Sequence, residues 1–293
     1  MSSHDVTQRF IFEQADVRGE LVSLDQSYRE ILAKHPYPVS VKSLLGEMLA
    51  AAVLLSTTIK FEGLLVLQAT SQGPVSTLMV ECSSNQEVRG IARYSDSPEG
   101  EGLQALMPGG ILAITIDPDN GQRYQGVVGL EGADLAQALN GYFETSEQLP
   151  TRFRLLADGR TARGLLLQAL PADRQRDPEE RAATWQHVNV LADTLKPDEL
   201  LALDNQTLLH RLYHDDEVRL FDPRPAVFKC NCSAERSAGA IVSLGRDDAL
   251  ALLDERGGEV EVDCQFCNER YRFDREDLER IFEAAEEHAR GLH

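Results

Sequence analysis

Between Leu44 and Ile59 the chain reads LLGEMLAAAVLLSTTI, its most apolar run. The run carries Glu47 and is shorter than the ~20 residues that a bilayer crossing needs. It therefore predicts a buried core helix over 39–59 rather than a membrane span. Upstream, RFIFEQADVRGELV has strand character around Gly19, read as a turn former. In SLDQSYREILAKH, Leu24, Tyr28, Ile31 and Leu32 fall at helical spacing. Pro36 and Pro38 break that helix. Downstream come short β segments: GLLVLQAT and VSTLMVEC flank the turn SQGP, and VRGIARYS follows. GILAITID and RYQGVVGL flank PDNGQ, with Asn120-Gly121 as a hairpin cue. ADLAQALNGYFETSE reads as a helix with Leu135, Ala138, Leu139 and Tyr142 on one face. TRFRLLA and RGLLLQAL predict a hairpin around Asp158-Gly159. Strand runs around helices, without regular βαβ alternation, predict an α+β domain over 1–172 with antiparallel pairing.

The texture changes at PADRQRDPEER. Residues 173–225 then read as a helical linker of three short helices, PEERAATWQHVNVLADTL, PDELLAL and NQTLLHRLYHDDEV. Their starts lie at Pro178, Pro197 and Asn205. Trp185, Val188, Leu191, Leu195, Leu200, Leu201, Leu208, Leu209 and Leu212 give them apolar faces. Helices this short are not stable alone, so they must pack on a neighbour, expected to be the first domain. DPRP at 222–225 ends the segment. Residues 226–293 form a small last domain with a middle helix (SLGRDDALALLDE), a hairpin-like GGEVEVDCQFCNERYRF and an acidic final helix, EDLERIFEAAEEH, read as a solvated face. Its apolar content is small for an independent domain, so it needs a staple.

Cysteine supplies that staple. Four of the five cysteines form two tight pairs, Cys230 with Cys232 and Cys264 with Cys267. Two local chelates about thirty residues apart suit tetrahedral zinc, one ion per chain, with Zn–S near ~2.3 Å. Four thiolates saturate zinc and leave no position for water, which disfavours metal-assisted hydrolysis. The spacing leaves two readings open. One is a structural zinc that only holds the domain together. The other is a redox switch, because metal-bound thiolates stay nucleophilic. A Cys230–Cys232 disulfide is geometrically tight, since Cα atoms two residues apart in extended chain are about 6.6–7.2 Å apart. That is near the upper limit for bridging, so the bond would be readily reduced. Loss of metal would also remove free energy that folds the domain.

Charge and compartment narrow the alternatives. The formal charge of −19, with 48 acids against 29 bases, opposes a general phosphate-backbone binder. A zinc-ribbon nucleic-acid module is weakened further because Lys229, Arg236 and Arg246 face Glu235, Asp247 and Asp248 in the sequence around CNC. A thiol–disulfide enzyme built on CQFC lacks the expected βαβ setting. His187, His210 and His214 have no intervening general base of the HExxH kind and read as solvated or packed. Cys82 reads as an ordinary half-buried thiol. MSSHDVTQRFIF lacks the basic start and apolar core of a signal peptide. The expected compartment is a reducing cytoplasm, where paired cysteines are more often metal ligands or redox groups than structural disulfides.

C-x-C, thirty-one residues, then C-x-x-C near the end of an acidic chain resembles the redox-regulated heat-shock chaperones of 33 kDa. VRGELV at 17–22, RYQGVVGLEG at 123–132, SEQLPTR at 146–152, LLLQ at 165–168 and RLYHDDEV at 211–218 extend the resemblance along the chain. Some relatives carry a further cysteine shortly after C-x-C, where this chain has SAERSAG with Ser237. The resemblance implies an ATP-independent holdase, not an enzyme, with zinc on Cys230, Cys232, Cys264 and Cys267 in an inactive reduced form. It implies that oxidative stress, especially with heat or hypochlorous acid, expels zinc and forms the disulfides Cys230–Cys232 and Cys264–Cys267. The zinc domain and linker would then unfold, the chain would dimerise, and exposed surface would hold unfolding client proteins. Neither nucleic acid nor a membrane is an implied partner.

Overall fold

The computed structural model describes residues 5–96, 98–146 and 149–291, and its architecture is α+β. Glu147, at the end of the helix expected over ADLAQALNGYFETSE, lies outside the described residues. Contacts divide the chain into two units, Met1–Lys229 and Cys230–His293.

In the first unit, β1 (Val6–Phe12) and β2 (Val17–Leu24) pair antiparallel, and α1 (Gln26–Leu32) leads into α2 (Val39–Thr58). The meander β3 (Gly63–Thr70), β4 (Val75–Ser83) and β5 (Glu87–Tyr94) is followed by the single turn α3 (Leu103–Leu106). The hairpin β6 (Ile111–Pro118) and β7 (Tyr124–Gly129), α4 (Leu135–Ser146), and the hairpin β8 (Thr151–Ala157) and β9 (Ala162–Ala169) come next. Then come α5 (Pro178–Asp193), α6 (Pro197–Ala202), α7 (Asn205–Tyr213) and three very short strands, β10 (Val218–Leu220), β11 (Arg224–Pro225) and β12 (Val227–Phe228). The strands form two sheets, β10-β1-β2-β9-β8 with β11 also on β1, and β12-β5-β4-β3-β6-β7. Pairing is antiparallel as expected, except for the two-residue parallel contact of β12 with β5.

The apolar run becomes α2, and the sheets explain why no polar stripe interrupts it. One side packs on β2, β8 and β9 of the first sheet, the other on β3, β4 and β5 of the second. Leu45, Met48, Leu49 and Ala50 through Leu54 have no solvent exposure. A helix buried all round has no face to keep polar. At 20 residues the helix is longer than its apolar run and its length and apolarity alone fit a bilayer, so it is burial by protein, not shortness, that makes it a core helix. No basic residue lies in its last turn. Arg9 and Arg18 reach in from β1 and β2 instead, each donating at 3.0 Å to the carbonyls of Thr57 and Thr58. Cations suit these orphan carbonyls at the negative end of the helix.

Glu47 is the exception on this helix. Burial, with Asp134 adding repulsion, pushes its carboxyl from the ordinary 4.5 up to about 8. A carboxyl raised on folding stabilises the fold fully below its unfolded value of 4.5, and that contribution is lost as pH rises through about 8. The urea midpoint of the wild type should therefore drop between about pH 5.5 and about pH 8.5, and Glu47→Gln should flatten that drop. Equal drops in both proteins would place the titration elsewhere.

The sequence predicts a turn at Gly19, and the fold corrects it. The chain turns over Glu13–Asp16, while Gly19 sits inside β2 opposite Phe10. A Cβ at Gly19 would lie 2.0 Å from the Phe10 ring, so glycine is required for close approach, not for a turn. That ring belongs to a second core. Phe10, Phe12, Val17, Leu21, Leu165 and Leu167 form an apolar layer on the first sheet. Val188, Ala192, Leu200, Leu208, Leu209, Leu212 and Tyr213 of α5–α7 cover it. The alternating residues Val22, Leu24 and Leu166 point to α2 instead, so both faces of this sheet are buried. Tyr213 stacks edge-on to Phe12 at 4.9 Å and donates its hydroxyl to the Val188 carbonyl at 3.1 Å.

Polar anchors hold the same segment. The Asp16 carboxylate accepts from the amides of Asp173, Arg174 and Gln175 at 3.0–3.1 Å. Asp177 and Asp204 cap α5 and α7, and Arg211 pairs with Glu199 at 2.9 Å. The expected third helix ends at Tyr213, short of Val218. The residues after it add β10 and β11 to the first sheet and β12 to the second.

The second unit has α8 (Ala234–Leu244), α9 (Arg246–Glu255), the hairpin β13 (Val260–Asp263) and β14 (Arg270–Phe273), and α10 (Arg275–Gly291). Its buried core is Ile241, Ala249, Leu253, Val260, Phe273, Leu278 and Phe282. One middle helix is predicted over 243–255, but two helices meet at Gly245, whose φ of 95° ends the first. α8 is not predicted from the sequence, although AERSAGAIVSL carries three alanines; its one glycine, two serines, isoleucine and valine lower its helix propensity. Packing of Ile241 and the Ser233 cap on the Arg236 amide hold it.

Candidate metal centre

All four cysteines of the two pairs lie in the second unit. The hairpin β13–β14 presents Cys264 and Cys267 at its tip. The Asn268 amide donates to the Cys264 carbonyl, and the Cys264 amide to the Glu269 carbonyl, both at 2.8 Å. Asn268 sits at φ 63°, a left-handed conformation that asparagine tolerates better than most residues. Cys230 and Cys232 lie just before α8, and in extended chain residues two apart share a side. Arg236 donates to the Asn231 carbonyl between them at 3.2 Å.

The four sulfurs lie within 4.8 Å of one another, and all are free thiols. Cys230 Sγ is 3.7 Å from Cys264 Sγ, and Cys232 Sγ is 3.4 Å from Cys267 Sγ. A tetrahedron with metal–sulfur legs of about 2.3 Å has edges of about 3.8 Å, whereas a disulfide is about 2.05 Å. The arrangement can therefore hold a metal ion, and its donor set suits a soft divalent cation. Electrostatics point the same way. Burial pushes the Cys232 thiol up, while a hydrogen bond from the Tyr271 hydroxyl at 3.1 Å favours its thiolate. Burial also pushes Cys267 up, opposed by the Glu269 amide, and the sulfurs of Cys232, Cys230 and Cys264 add to the rise. Four crowded thiolates are stable together only with positive charge among them.

Tyr271 is the site residue that the cysteine spacing does not reveal. It lies in β14, four positions past Cys267, and touches the other chelate. No motif predicts that contact, because it depends on how the hairpin packs. Cys82 also differs from expectation. It is fully buried rather than half-buried, on an inner strand facing α2, and its thiol is pushed up to about 12. His187 pairs with Asp216 at 3.1 Å, and the His210 and His214 rings stack edge-on at 6.1 Å. Among the described residues, the four cysteines are the one group of three or more His, Cys, Asp or Glu placed to share a metal. The cations near CNC are engaged: Lys229 with Glu87, Arg236 with Asn231, and Arg246 with Glu286.

The 33 kDa chaperonin of Pseudomonas paraeruginosa is 62% identical to this chain over 97% of each. That of a Pseudomonas fluorescens strain is 61% identical over 96% of this chain and 94% of its own. The crystal structure of the 33 kDa chaperonin from Thermotoga maritima has a TM-score of 0.80 at 21% identity, covering 97% of this chain and 99% of that one, a likeness of fold. Residues 5–274 match the Hsp33 protein family. With such relatives along nearly its whole length, this chain belongs to the Hsp33 family and its role is that of a chaperone.

Proposed function

We propose that this chain is a redox-regulated, ATP-independent holdase, without enzymatic turnover, that works in the cytoplasm. Cys230, Cys232, Cys264 and Cys267 hold one zinc ion in the reduced, inactive form. The observation that carries this reading is the packing of four free sulfurs at tetrahedral spacing. They cap a unit whose core is only seven buried residues among those described. Bound zinc supplies the charge that keeps the thiolates and the free energy that keeps this unit folded.

Oxidation joins Cys230 to Cys232 and Cys264 to Cys267. The choice of partner matters physically. Sulfur contacts of 3.7 and 3.4 Å run between the pairs, and a cross-pair disulfide there would staple the unit. Disulfides within each pair remove the link between the CNC segment and the hairpin, and the unit opens. Cys230 follows β12 by two residues, and β12 is held by only two residues of pairing. Residues 173–225 then act as a metastable linker. Their release bares the α5–α7 face and the Phe10, Phe12, Leu21, Leu165 and Leu167 layer for unfolding clients. The oxidised chain dimerises, and it engages neither nucleic acid nor membrane.

Light scattering by a thermally unfolding client tests this reading. Protein treated with peroxide and heat should suppress aggregation, and the reduced zinc form should not. Equal suppression by both forms removes the redox switch, and suppression by neither removes the holdase.

A further inference from the structure

In the first unit, the face that the first sheet turns toward α2 carries cations at the end of that helix. Arg9 and Arg18 lie on β1 and β2, with Glu20 as the cross-strand partner of Arg9. Arg224 on β11 lies opposite Thr7, two positions before Arg9, so it shares the Arg9 face. Lys60 follows α2 in the loop to β3. These four side chains line one pocket of about 580 Å³, together with Phe61 and Ser84. That volume is in the range of small-molecule sites.

The charge of this pocket runs against that of the chain, which is −19 overall. Its acids are Glu62 in the lining and Glu20, which accepts from Arg9 at 3.3 Å. Four cations therefore stand against two carboxylates, an excess that the charge of one phosphate group matches at neutral pH. The inner guanidiniums are fixed in place. Arg9 donates to the Thr57 carbonyl and Arg18 to the Thr58 carbonyl, both at 3.0 Å, and Arg18 also donates to Gln168 Oε1 at 3.0 Å. Each guanidinium has five donors, so these bonds hold the fork and leave donors for an oxyanion. Burial, with the Arg9 guanidinium nearby, pushes Arg18 below its ordinary value, against the pull of Glu20. Among the described residues, the side chains of the exposed Lys60 and Arg224 make no hydrogen bond or ion pair.

We propose that this pocket binds a small phosphorylated molecule, with Arg9, Arg18, Lys60 and Arg224 on its phosphate and Phe61 against the remainder. The acidic chain does not forbid this, because exposed charges farther than about 8 Å are screened at physiological salt and the four cations are local. No cysteine takes part, so the site stands whether or not the redox reading does.

Titration calorimetry of the reduced full-length protein with inorganic pyrophosphate, at about 0.15 M salt, tests this. Wild type should bind one pyrophosphate per chain. Lys60→Ala/Arg224→Ala should bind at least about tenfold more weakly, since two charge-assisted contacts are lost. Arg123→Ala/Arg160→Ala removes the same charge from exposed positions outside the pocket, and its affinity should stay within about twofold. Lys60→Ala alone leaves β11 untouched and should weaken binding about three- to tenfold. Melting of the first unit should rise with pyrophosphate in wild type and in the Arg123/Arg160 variant, and less in the Lys60/Arg224 variant. No binding by wild type overturns the proposal. So does equal binding by all the proteins, or an equal loss in both double variants, which would make the attraction one of net charge. Sulfate that binds as tightly as pyrophosphate overturns it too, because the pocket would then take any oxyanion.

Discussion

Cys230→Ser/Cys232→Ser protein should purify without zinc, its second unit unfolded and its first unit intact. Serine preserves size but offers a neutral hydroxyl where the site needs a thiolate. The two remaining thiolates do not close a tetrahedron. Structural zinc sites contribute about 10–16 kcal/mol near neutral pH, far more than the net stability of a small domain. Against that stands a core of Ile241, Ala249, Leu253, Val260, Phe273, Leu278 and Phe282. Ordering each residue costs about 1–2 kcal/mol of backbone entropy, so such a core without metal does not hold more than fifty residues in place. Hydrogen exchange should show protection lost over α8–α10 and kept in α2 and the two large sheets. A full zinc complement in the double variant would overturn the ligand assignment. Retained protection without zinc would separate metal binding from folding.

Leu212→Glu should turn the reduced, zinc-bound protein into a holdase as effective as the oxidised wild type. Leu212 is 2% exposed and lies in the apolar layer that joins α7 to the first sheet. Removing a buried leucine costs about 2–5 kcal/mol, and an unpaired carboxylate there adds more. The docked helices have little to resist this, because pieces of 16, 6 and 9 residues lack stability of their own. Release of α7 also strips cover from Phe10 and Phe12. Limited proteolysis should cut within 173–217, zinc content should stay at one per chain, and client scattering should fall. Proteolysis without suppression would mean that the released surface is not the client surface. Suppression with the segment still protected would locate the client surface elsewhere.

Much of this molecule is written in local pattern. The Asn120-Gly121 and Asp158-Gly159 hairpins, the helix 39–58, and the starts of α5, α6 and α7 each depend on a few neighbouring residues. The two cysteine pairs belong to the same class, since two residues that chelate together must be close in sequence. The errors lie where a distant neighbour decides. Gly19 resembles a turn glycine until Phe10 is laid across it. α8 is only 11 residues long, too short to be stable alone, and Ile241 in the core of its unit holds it. β10 and β11 complete a sheet with β1, some two hundred residues earlier in the chain.

The sequence by itself determined the element types over most of the chain, the acidic character that disfavours nucleic acid, and the four sulfurs as one donor set. These follow from periodicity, charge and spacing, which are one-dimensional properties. Only the tertiary structure decided that the first sheet is buried on both faces, with α5–α7 as the cover of one. It alone brought Cys230 to Cys264 and Cys232 to Cys267, and set the Tyr271 hydroxyl against Cys232. Those contacts join segments more than thirty residues apart, and such approaches depend on the packing of the whole unit rather than on any local preference of the chain.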